Sequence, residues 1–554
     1  MAEMKTAAYI CSGCGIGERV STAQMAKIAQ KEGKMALVRE HACLCDASGV
    51  QTIKDDIEKE AVTHIVIAAC SRRAKTEAFN FPSVAMSRAN IREGVIWSQP
   101  EGDESAETTQ EMADDYVRMG CAEVKKMKVP EGNPNRASNK RILVVGGGVS
   151  GMTAALEMAE AGYDTVLVEK SAALGGWASQ LVKRVPSMQP YADPADTGIA
   201  ELAARVGAHP RIKLHLNSTI AQTNGAPGRF AVDIAQESGA TVTEEVGALI
   251  QATGFTPYDM MKLPELGAGK SPNVVDQLGL EKLVKAANGG PVKRPSDGGE
   301  VKSVVFIQCA GQRDEAMESG GKHLPYCSGH CCATSIKQAM YFKDANPDID
   351  TMVMYTDLRV PGTGEDFYRS GQQKGITFTK GKTASVEAAG SDGKGACKVN
   401  FKDLILNEDV TVEADLVVLA TGMVANSGMN IDIPEEEVAK MEVKPISILN
   451  LNYRQGKDMP QLKSGFADSH FICFPYETRR TGIYAAGPTR RPMDMLQATE
   501  DATGAALKAI QAVENASQGR AAHPRAWDLS FPTARLEGCT QCKRCTVECP
   551  FGAI

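Results

Sequence analysis

The sequence predicts an α/β protein of several domains, and three observations support this class. Short apolar runs, such as AAYI (7–10) and ILVV (142–145), alternate with helical patterns such as STAQMAKIAQKEG (21–33). A Gly-rich turn joins ILVV to an Ala-rich helix, as in the strand–turn–helix units of parallel sheets. The length of 554 residues corresponds to three or four domains at about 100–200 residues each.

The composition is that of a globular protein whose cysteines occur in groups. The formal charge is −7 and no long basic run occurs, so a nucleic-acid surface is not indicated. No apolar stretch approaches the ~18 residues of a membrane helix, and the first residues lack a signal pattern, so we expect a cytoplasmic location. Most of the 16 cysteines fall at positions 11–70, 309–332 and 539–549. In a reducing compartment such groups indicate metal ligands or redox thiols.

Four segments are predicted along the chain. Residues 1–127 form an amino-terminal α/β domain, in which the cysteines fall at strand ends or in the turns that follow. A Pro- and Asn-rich linker spans 128–140, and a dinucleotide-binding architecture covers 141–515, with a distinct central part at 300–385. Residues 516–554 hold a second linker and the last cysteine group.

A dinucleotide site is predicted where Gly146-x-Gly148-x-x-Gly151 follows a strand and opens a helix. The first glycine permits a tight turn, the second a close approach to a pyrophosphate, and the third close helix–sheet packing. The helix start offers unpaired N–H groups to the phosphates. Glu169, at the end of the next strand, can accept hydrogen bonds from ribose hydroxyls. A tight turn without a ligand is the alternative. The predicted contacts are Gly146, Gly148, Val149, Ser150, Gly151, Glu169 and Lys170.

Later motifs identify the dinucleotide. They are Gly175-Gly176-Trp177, Thr253-Gly254 and Gly487-Pro488. Over residues 140–515 this layout resembles the two-dinucleotide-domain flavoproteins of the thioredoxin-reductase and pyridine-nucleotide–disulfide-reductase type, which implies FAD. The late motif of that family usually reads Gly-Asp, so a polar contact to FAD must come from elsewhere here. Asp494 is one candidate, and a solvated loop acid is its alternative reading.

The middle of the chain departs from that family. The strand VKSVVFIQ runs into CAGQR without a second glycine triplet, and YCSGHCC follows before a helix. Four thiols, those of Cys309, Cys327, Cys331 and Cys332, fit one four-cysteine iron–sulfur cluster. A redox disulfide and buried structural cysteines are the alternatives.

These cysteine motifs, together with CSGCGIG, HACLCDASGVQ, VIAACSRR and RANIREGVIW, are similar to those of the HdrA family, the flavin subunits of heterodisulfide reductases. That family includes related proteins of the quinone-interacting complex of sulfate reducers. The resemblance covers nearly the whole chain. It implies an amino-terminal iron–sulfur domain, and a [4Fe–4S] cluster held beside the flavin by Cys309, Cys327, Cys331 and Cys332.

Two further cysteine groups complete the predicted metal sites. Cys11, Cys14, Cys43, Cys45 and Cys70 offer five thiols for four ligand positions, with zinc as an alternative to a cluster. Alignment of residues 46–57 with the family favours Cys45 over Cys43. The third group is a bacterial ferredoxin run whose second copy is missing, formed by Cys539, Cys542, Cys545 and Cys549. Either Cys549 completes a single cluster, or, as we expect, the sequence is the amino-terminal part of a longer polypeptide.

The sequence therefore predicts an FAD- and iron–sulfur-containing electron-transfer subunit of a heterodisulfide-reductase-like oxidoreductase complex. We expect other subunits as partners, including a ferredoxin or quinone-reducing module, and no nucleic acid. The ferredoxin domain that methanogen relatives carry within the flavin domain is absent, since residues 176–253 contain no cysteine. Bifurcation stays open, and no catalytic residue is identified. The alternatives are a non-catalytic wire of a quinone-interacting complex and a stand-alone NAD(P)H-dependent disulfide reductase.

Overall fold

The structure is a computed structural model that describes most of the chain. It covers residues 4–129, 138–388, 395–429, 436, 439, 446–452, 458–469, 475–523 and 540. The chain divides into two compact units, which we call the first unit (residues 1–136 with 518–554) and the second unit (137–517). Within the described ranges, no helix is both long and apolar enough to cross a membrane.

The first unit is built on a four-stranded parallel sheet. Its strands are Thr6–Cys11 (β1), Leu37–His41 (β2), His64–Ala69 (β3) and Ala85–Asn90 (β4), in the order β2-β1-β3-β4. Its α-helices are Ile16–Arg19 (α1), Thr22–Lys31 (α2), Ala47–Lys59 (α3) and Asp103–Val124 (α4), and a π-helical turn spans Arg92–Ile96. All residues of β1 and β3 are buried, as expected for central strands covered on both faces.

Side-chain caps fix the helix starts in this unit. The Ser21 hydroxyl accepts a hydrogen bond from the N–H of Gln24 at the start of α2 (3.3 Å). The carboxylate of Asp46 accepts one from the N–H of Gly49 at the start of α3 (2.6 Å). Each cap satisfies an N–H group that the helix itself leaves unpaired. Asp46 directly follows Cys45, so this cap holds the backbone beside that cysteine at the start of α3.

The second unit contains two larger sheets with helices packed on them. Its strands are Ile142–Val145 (β5), Thr165–Val168 (β6), Ile212–His215 (β7), Ser218–Ala226 (β8), Arg229–Gln236 (β9), Thr241–Val246 (β10), Ala248–Gln251 (β11), Phe255–Pro257 (β12), Val274–Asp276 (β13), Ser303–Ile307 (β14), Asp350–Tyr355 (β15), Thr377–Ala388 (β16), Cys397–Asp403 (β17), Asp409–Ala414 (β18), Leu416–Leu419 (β19), Met423–Ala425 (β20) and Ile483–Ala485 (β21). Its α-helices are Val149–Glu160 (α5), Ile199–Ala208 (α6), Gln277–Ala287 (α7), Cys331–Ala345 (α8), Gly364–Gln373 (α9) and Met495–Ser517 (α10). Short 3₁₀ turns occur at Gly176–Gln180, Met260–Lys262, Pro264–Leu266 and Gly487–Thr489.

Strand order explains how distant parts of the sequence meet in this unit. The first sheet is parallel throughout, in the order β21-β11-β5-β6-β7, so the late strand β21 lies beside β11. The second sheet has the order β13-β19-β14-β15-β16-β17-β18, parallel up to β16 and antiparallel beyond it. A separate antiparallel sheet contains β10, β9 and β8, and β12 pairs with β20. The predicted α/β class is therefore confirmed.

Candidate functional site

A cavity of about 1000 Å³ opens where the parallel strands of the first sheet end, and we call it the large cavity. Its volume lies at the upper end of the ~300–1000 Å³ range that is usual for ligand pockets. It lies where open α/β sheets bind ligands, beyond the carboxyl ends of the strands. The predicted dinucleotide contacts that line it are Gly146, Gly148, Val149, Ser150, Glu169, Lys170, Gly175, Gly176, Trp177, Thr253, Gly254, Pro488 and Asp494.

The three glycines of the first turn have different surroundings. Gly146 has a positive φ of 109°, and a Cβ there would overlap the carbonyl oxygen of Ala252. A Cβ at Gly151 would overlap the carbonyl oxygen of Gly146, so this glycine permits close helix–strand packing and lies behind the cavity lining. A Cβ at Gly148 would meet no atom within 4 Å. The open space at Gly148 is where a pyrophosphate could approach the backbone.

Glu169 is positioned by backbone N–H groups at the end of β6. The residue is 8% exposed, and its two oxygens accept hydrogen bonds from the N–H groups of Gly147 (2.5 Å) and Ser171 (2.8 Å). A carboxylate has about four lone-pair sites, so acceptors remain for a ligand hydroxyl. These bonds also tie the Gly-rich turn to the next strand.

The late turn joins the same cavity through Thr489. Its hydroxyl accepts a hydrogen bond from the N–H of Gly254 at the end of β11 (2.9 Å). A Cβ at Gly487 would overlap the Ser150 hydroxyl, so Gly487 packs behind the cavity surface. The Gly487 N–H donates to the carboxylate of Asp501 (2.7 Å), which also pairs with Arg490.

Asp494 lines the cavity and also caps α10. Its carboxylate accepts a hydrogen bond from the N–H of Gln497 (2.8 Å). The capping bond holds this carboxylate at the cavity edge, which is compatible with the predicted role as a polar contact.

The second sheet lacks a comparable glycine turn. Strand β14 ends at Ile307 and α8 begins at Cys331, so residues 308–330 connect them, whereas residues 146–148 suffice between β5 and α5. Cys309 adopts a left-handed conformation with φ 57° just after β14. The position of Gly311 is covered by the ring of Tyr258, whose Cε1 would lie 2.5 Å from an added Cβ. The Tyr258 ring therefore occupies the space beside the backbone of Gly311.

Four thiols are gathered in this connection and the first turn of α8, and we call them the central cysteine block: Cys309, Cys327, Cys331 and Cys332. N–H groups point at three of the sulfurs. The Gln312 amide donates to Cys331 Sγ (3.3 Å), the Gly329 N–H to Cys327 Sγ (3.4 Å), and the Arg313 guanidinium approaches Cys309 Sγ (3.9 Å). The start of α8 adds the partial positive charge of a helix N-terminus, which favours thiolates.

Burial dominates the pKa values of two thiols in the block. Burial raises the pKa of Cys331 to about 11. Burial, with smaller contributions from charge on Cys331, Cys309 and Cys327, raises the pKa of Cys332 to about 12. Adjacent thiolates at this place therefore need a positive centre to be stable.

The fit of a metal cluster can be judged from the donor set. Across the described ranges, no three Cys, His, Asp or Glu side chains converge closely enough to hold one ion. Yet the amide of Gln308, which is 7% exposed and adjacent to Cys309, has no hydrogen-bond partner for either polar atom among the described residues. All-thiol donors with N–H groups around them suit an iron–sulfur cluster, and the ligand assignment stays a prediction.

Helix α8 also reaches the large cavity, through its N-cap residue His330 and through Ala333, Thr334 and Lys337. Lys337 forms an ion pair with Glu281 (Nζ–Oε1 2.8 Å) and donates to the carbonyl of Lys183 (2.8 Å). Burial lowers the pKa of Lys337, and the charge of Glu281 raises it by less. This pair was not expected from the sequence, in which a lysine in the helical segment SIKQA (335–339) is its only sign.

In the first unit, cysteines lie at or just beyond the carboxyl ends of three strands of the sheet. Cys11 ends β1, Cys43 and Cys45 follow β2, and Cys70 follows β3. The sulfurs of Cys43 and Cys45 are 3.6 Å apart. Burial, followed by the contact with Cys43, raises the pKa of Cys45 to about 11. Both cysteines are partly buried beside Cys11, so the preference for Cys45 as a ligand stays a prediction.

Other predicted residues fall where the structure gives no description. Cys539, Cys542, Cys545 and Cys549 lie outside the described residues, and so does most of the linker at 128–140.

Comparison with known proteins defines the class. Residues 141–251, which form the Gly-rich turn and most of the first sheet, match the family model of FAD dependent oxidoreductases. This match supports the prediction of an oxidoreductase whose residues 141–251 form an FAD-binding domain of α/β fold. The chain's full-length homologues are HdrA-type subunits of heterodisulfide reductases, which confirms the resemblance seen in the cysteine motifs.

Two of these relatives illustrate the match. An HdrA-type iron-sulfur subunit of CoB–CoM heterodisulfide reductase from Methanopyrus kandleri is 28% identical over 642 residues, spanning 100% of this chain and 91% of that protein. The HdrA-type subunit of the H₂:CoB-CoM heterodisulfide,ferredoxin reductase of Methanothermobacter marburgensis is 28% identical over 643 residues, with the same coverage. Both alignments are longer than the chain of 554 residues, so these relatives carry segments that it lacks.

Among solved structures, the chain is similar to thioredoxin reductases of T. acidophilum and Lactococcus lactis. They are 15% and 16% identical, cover 67% and 68% of this chain and 98% and 99% of their own, and each has a TM-score of 0.42.

Proposed function

We propose that the chain is an FAD- and iron–sulfur-containing electron-transfer subunit of a heterodisulfide-reductase-like complex. The observation that carries this proposal is the dual position of α8. Its first turn holds Cys331 and Cys332, and the same helix lines the large cavity through Lys337. At 1.5 Å per residue, about 9 Å along the helix axis separates Cys331 from Lys337.

Different residues of the chain would bind different parts of FAD. The N–H groups at the start of α5, together with the open space at Gly148, would receive the pyrophosphate. The buried carboxylate of Glu169 would accept a hydrogen bond from a ribose hydroxyl. Asp494 would supply a polar contact near the turn at Gly487–Thr489. Bound flavin would exchange electrons in pairs or singly, and cysteine-ligated clusters would carry single electrons.

We assign Cys309, Cys327, Cys331 and Cys332 to one [4Fe–4S] cluster. A second cluster would take Cys11, Cys14, Cys45 and Cys70, and a third would involve the cysteines at 539–549. Support for the first assignment comes from the N–H donors around the block and from the filled space at Gly311, where a nicotinamide nucleotide would otherwise bind.

We also propose that other subunits exchange electrons with this chain. The relatives' names include a heterodisulfide, ferredoxin and F420H₂ as reaction partners of those proteins. For this chain we therefore propose a ferredoxin or a quinone-reducing module as the electron-transfer partner. The longer alignments support the absence of the inserted ferredoxin domain, which would remove one electron route.

The test is the metal and flavin content of the anaerobically purified chain. Cys331→Ala should lose about four irons per chain, since a [4Fe–4S] cluster needs its own thiolates, while FAD is retained. Cys397→Ala, which removes a buried thiol on β17 outside the block, is the matched control and should lose no iron. Unchanged iron in Cys331→Ala would return the block to the disulfide or structural reading. Subunits that co-purify with the native protein would identify its partners.

A further inference from the structure

Arg88 is a buried cation beside one of the predicted cluster ligands. It lies on β4, is 5% exposed, and stacks its guanidinium on the ring of Phe79 (4.4 Å to the centroid). Its Nη2 lies 3.1 Å from the sulfur of Cys70 and 3.0 Å from the carbonyl oxygen of the same residue. The carbonyls of Ser71 and Ala74 are the other acceptors that the same nitrogen reaches.

The remaining donors of this guanidinium are unused. Nε and Nη1 of Arg88 are buried and have no hydrogen-bond partner among the residues that the structure describes. The nearby carboxylate of Glu93 is engaged by Arg92 (2.6 Å) and by the N–H of Ser71 (2.7 Å). Within the described ranges no carboxylate forms an ion pair with Arg88. Burying a charge is costly, and besides the nearby Glu93 an anionic thiolate at Cys70 would stabilise the guanidinium.

We propose that Arg88 positions the cluster held by Cys70 and sets its reduction potential. Its Nη2 donates a hydrogen bond to the Cys70 sulfur, and its positive charge supplies the counter-charge for the thiolate-ligated cluster. The inference rests on the proposed function, because it requires that Cys70 is a cluster ligand.

The physical effect has a definite sign. A reduced cluster carries one more negative charge than the oxidised cluster, so a nearby cation and an N–H···S bond stabilise the reduced form more. Arg88 therefore raises the reduction potential of this cluster. An arginine that only fastened the loop after β3 through carbonyl oxygens would affect folding stability and leave the potential unchanged.

The experiment is a redox titration of the full chain, followed by electron paramagnetic resonance. The signal that disappears in Cys70→Ala identifies the cluster. In Arg88→Met, the ratio of reduced to oxidised cluster at a fixed potential should fall about tenfold, which is ~59 mV for one electron. Arg88→Lys keeps the charge but loses the planar fork of N–H donors, so it should shift the ratio in the same direction by less.

The control is Arg118→Met, which removes an arginine of the same unit that pairs with Glu32 and Asp115 instead of a thiol. It should leave the ratio unchanged. If no signal of the wild-type chain depends on Cys70, the proposed cluster is wrong. If such a signal exists and neither Arg88 variant shifts it, the role of Arg88 is wrong. Should Arg88→Met fail to assemble the cluster, the shift in Arg88→Lys decides.

Discussion

The ammonium group of Lys337 and the carboxylate of Glu281 meet at 2.8 Å inside the second unit, with side-chain exposures of 2% and 0%. Further hydrogen bonds complete the pair. Lys337 donates to the carbonyl of Lys183, and Glu281 accepts from the Gln338 amide and from the N–H of Val182 (2.8 Å each). These bonds offset part of the cost of removing two charges from water. The pair thereby connects α7 and α8 at the wall of the large cavity.

Removing one partner of this pair should destabilise the unit strongly. Lys337→Met leaves the carboxylate of Glu281 buried without its cation, a change that typically costs about 3–5 kcal/mol. The urea concentration at which half of the flavin is released should therefore be lower than for the wild type. The double variant Lys337→Met/Glu281→Gln removes both charges and should recover part of the loss. A single variant as resistant to urea as the wild type would contradict a structural role for the ion pair.

Two glycines of the first turn should respond differently to substitution. Gly148→Val should fold, because a Cβ there meets no atom within 4 Å, but its side chain should occupy the space of the pyrophosphate and abolish FAD binding. Gly151→Ala should reduce the yield of folded protein, because its Cβ would overlap the carbonyl oxygen of Gly146. Flavin absorbance and circular dichroism of both variants separate the two effects. Full yellow colour in Gly148→Val would mean that the site is misassigned.

The isolated chain should not bind NADH tightly. The connection at 308–330 replaces a short glycine turn, and Tyr258 covers Gly311 where a nucleotide would approach. When NADH is added anaerobically to the flavin-containing chain, the flavin absorbance should not decrease. Rapid, saturable bleaching would support the alternative of a stand-alone disulfide reductase.

Acid should weaken the second unit through Glu244. Burial raises the pKa of this carboxyl, but hydrogen bonds from Lys213, His215 and Arg141 lower it by more, to about 2. An unfolded glutamate titrates near pH ~4.3, so the stabilisation is complete above that pH and is lost as pH falls toward the folded pKa. The full contribution is about 3 kcal/mol.

Urea unfolding at pH 6 and pH 3.5 tests the Glu244 prediction. The stability difference between the wild type and Glu244→Gln should be larger at pH 6, where the native and unfolded carboxyls are both ionised. An equal difference at the two pH values would show that the ion pairs contribute nothing to acid sensitivity.

Local patterns in the sequence predicted the elements that position the site. Buried strands are continuous apolar runs, and the glycine triplet occupies a strand-to-helix turn whose geometry depends on a few neighbouring residues. Cys11 and Cys70 were therefore expected at strand ends, where the structure has them. Helix α2 was expected over 21–33 and extends over Thr22–Lys31.

Contacts between distant residues could not be predicted in this way. Lys337 and Glu281 are 56 positions apart, and their pairing depends on how two helices pack on one sheet. In the sequence, Arg88 is only the first residue of the motif RANIREGVIW. The pairing of β3 with β4 brings it to Cys70. The choice between Cys43 and Cys45 depends on sulfur positions a few ångströms apart, which residue spacing does not resolve.

The shared use of α8 limits how this protein can vary. A helix of 15 residues is a rigid rod about 22 Å long, so a shift at one end moves the other. A substitution that enlarged the cavity near Ala333 or Thr334 would also displace Cys331 and Cys332. Engineering of the flavin environment and of the neighbouring thiols must therefore proceed jointly, and a transplant of either into another scaffold has to include the whole helix.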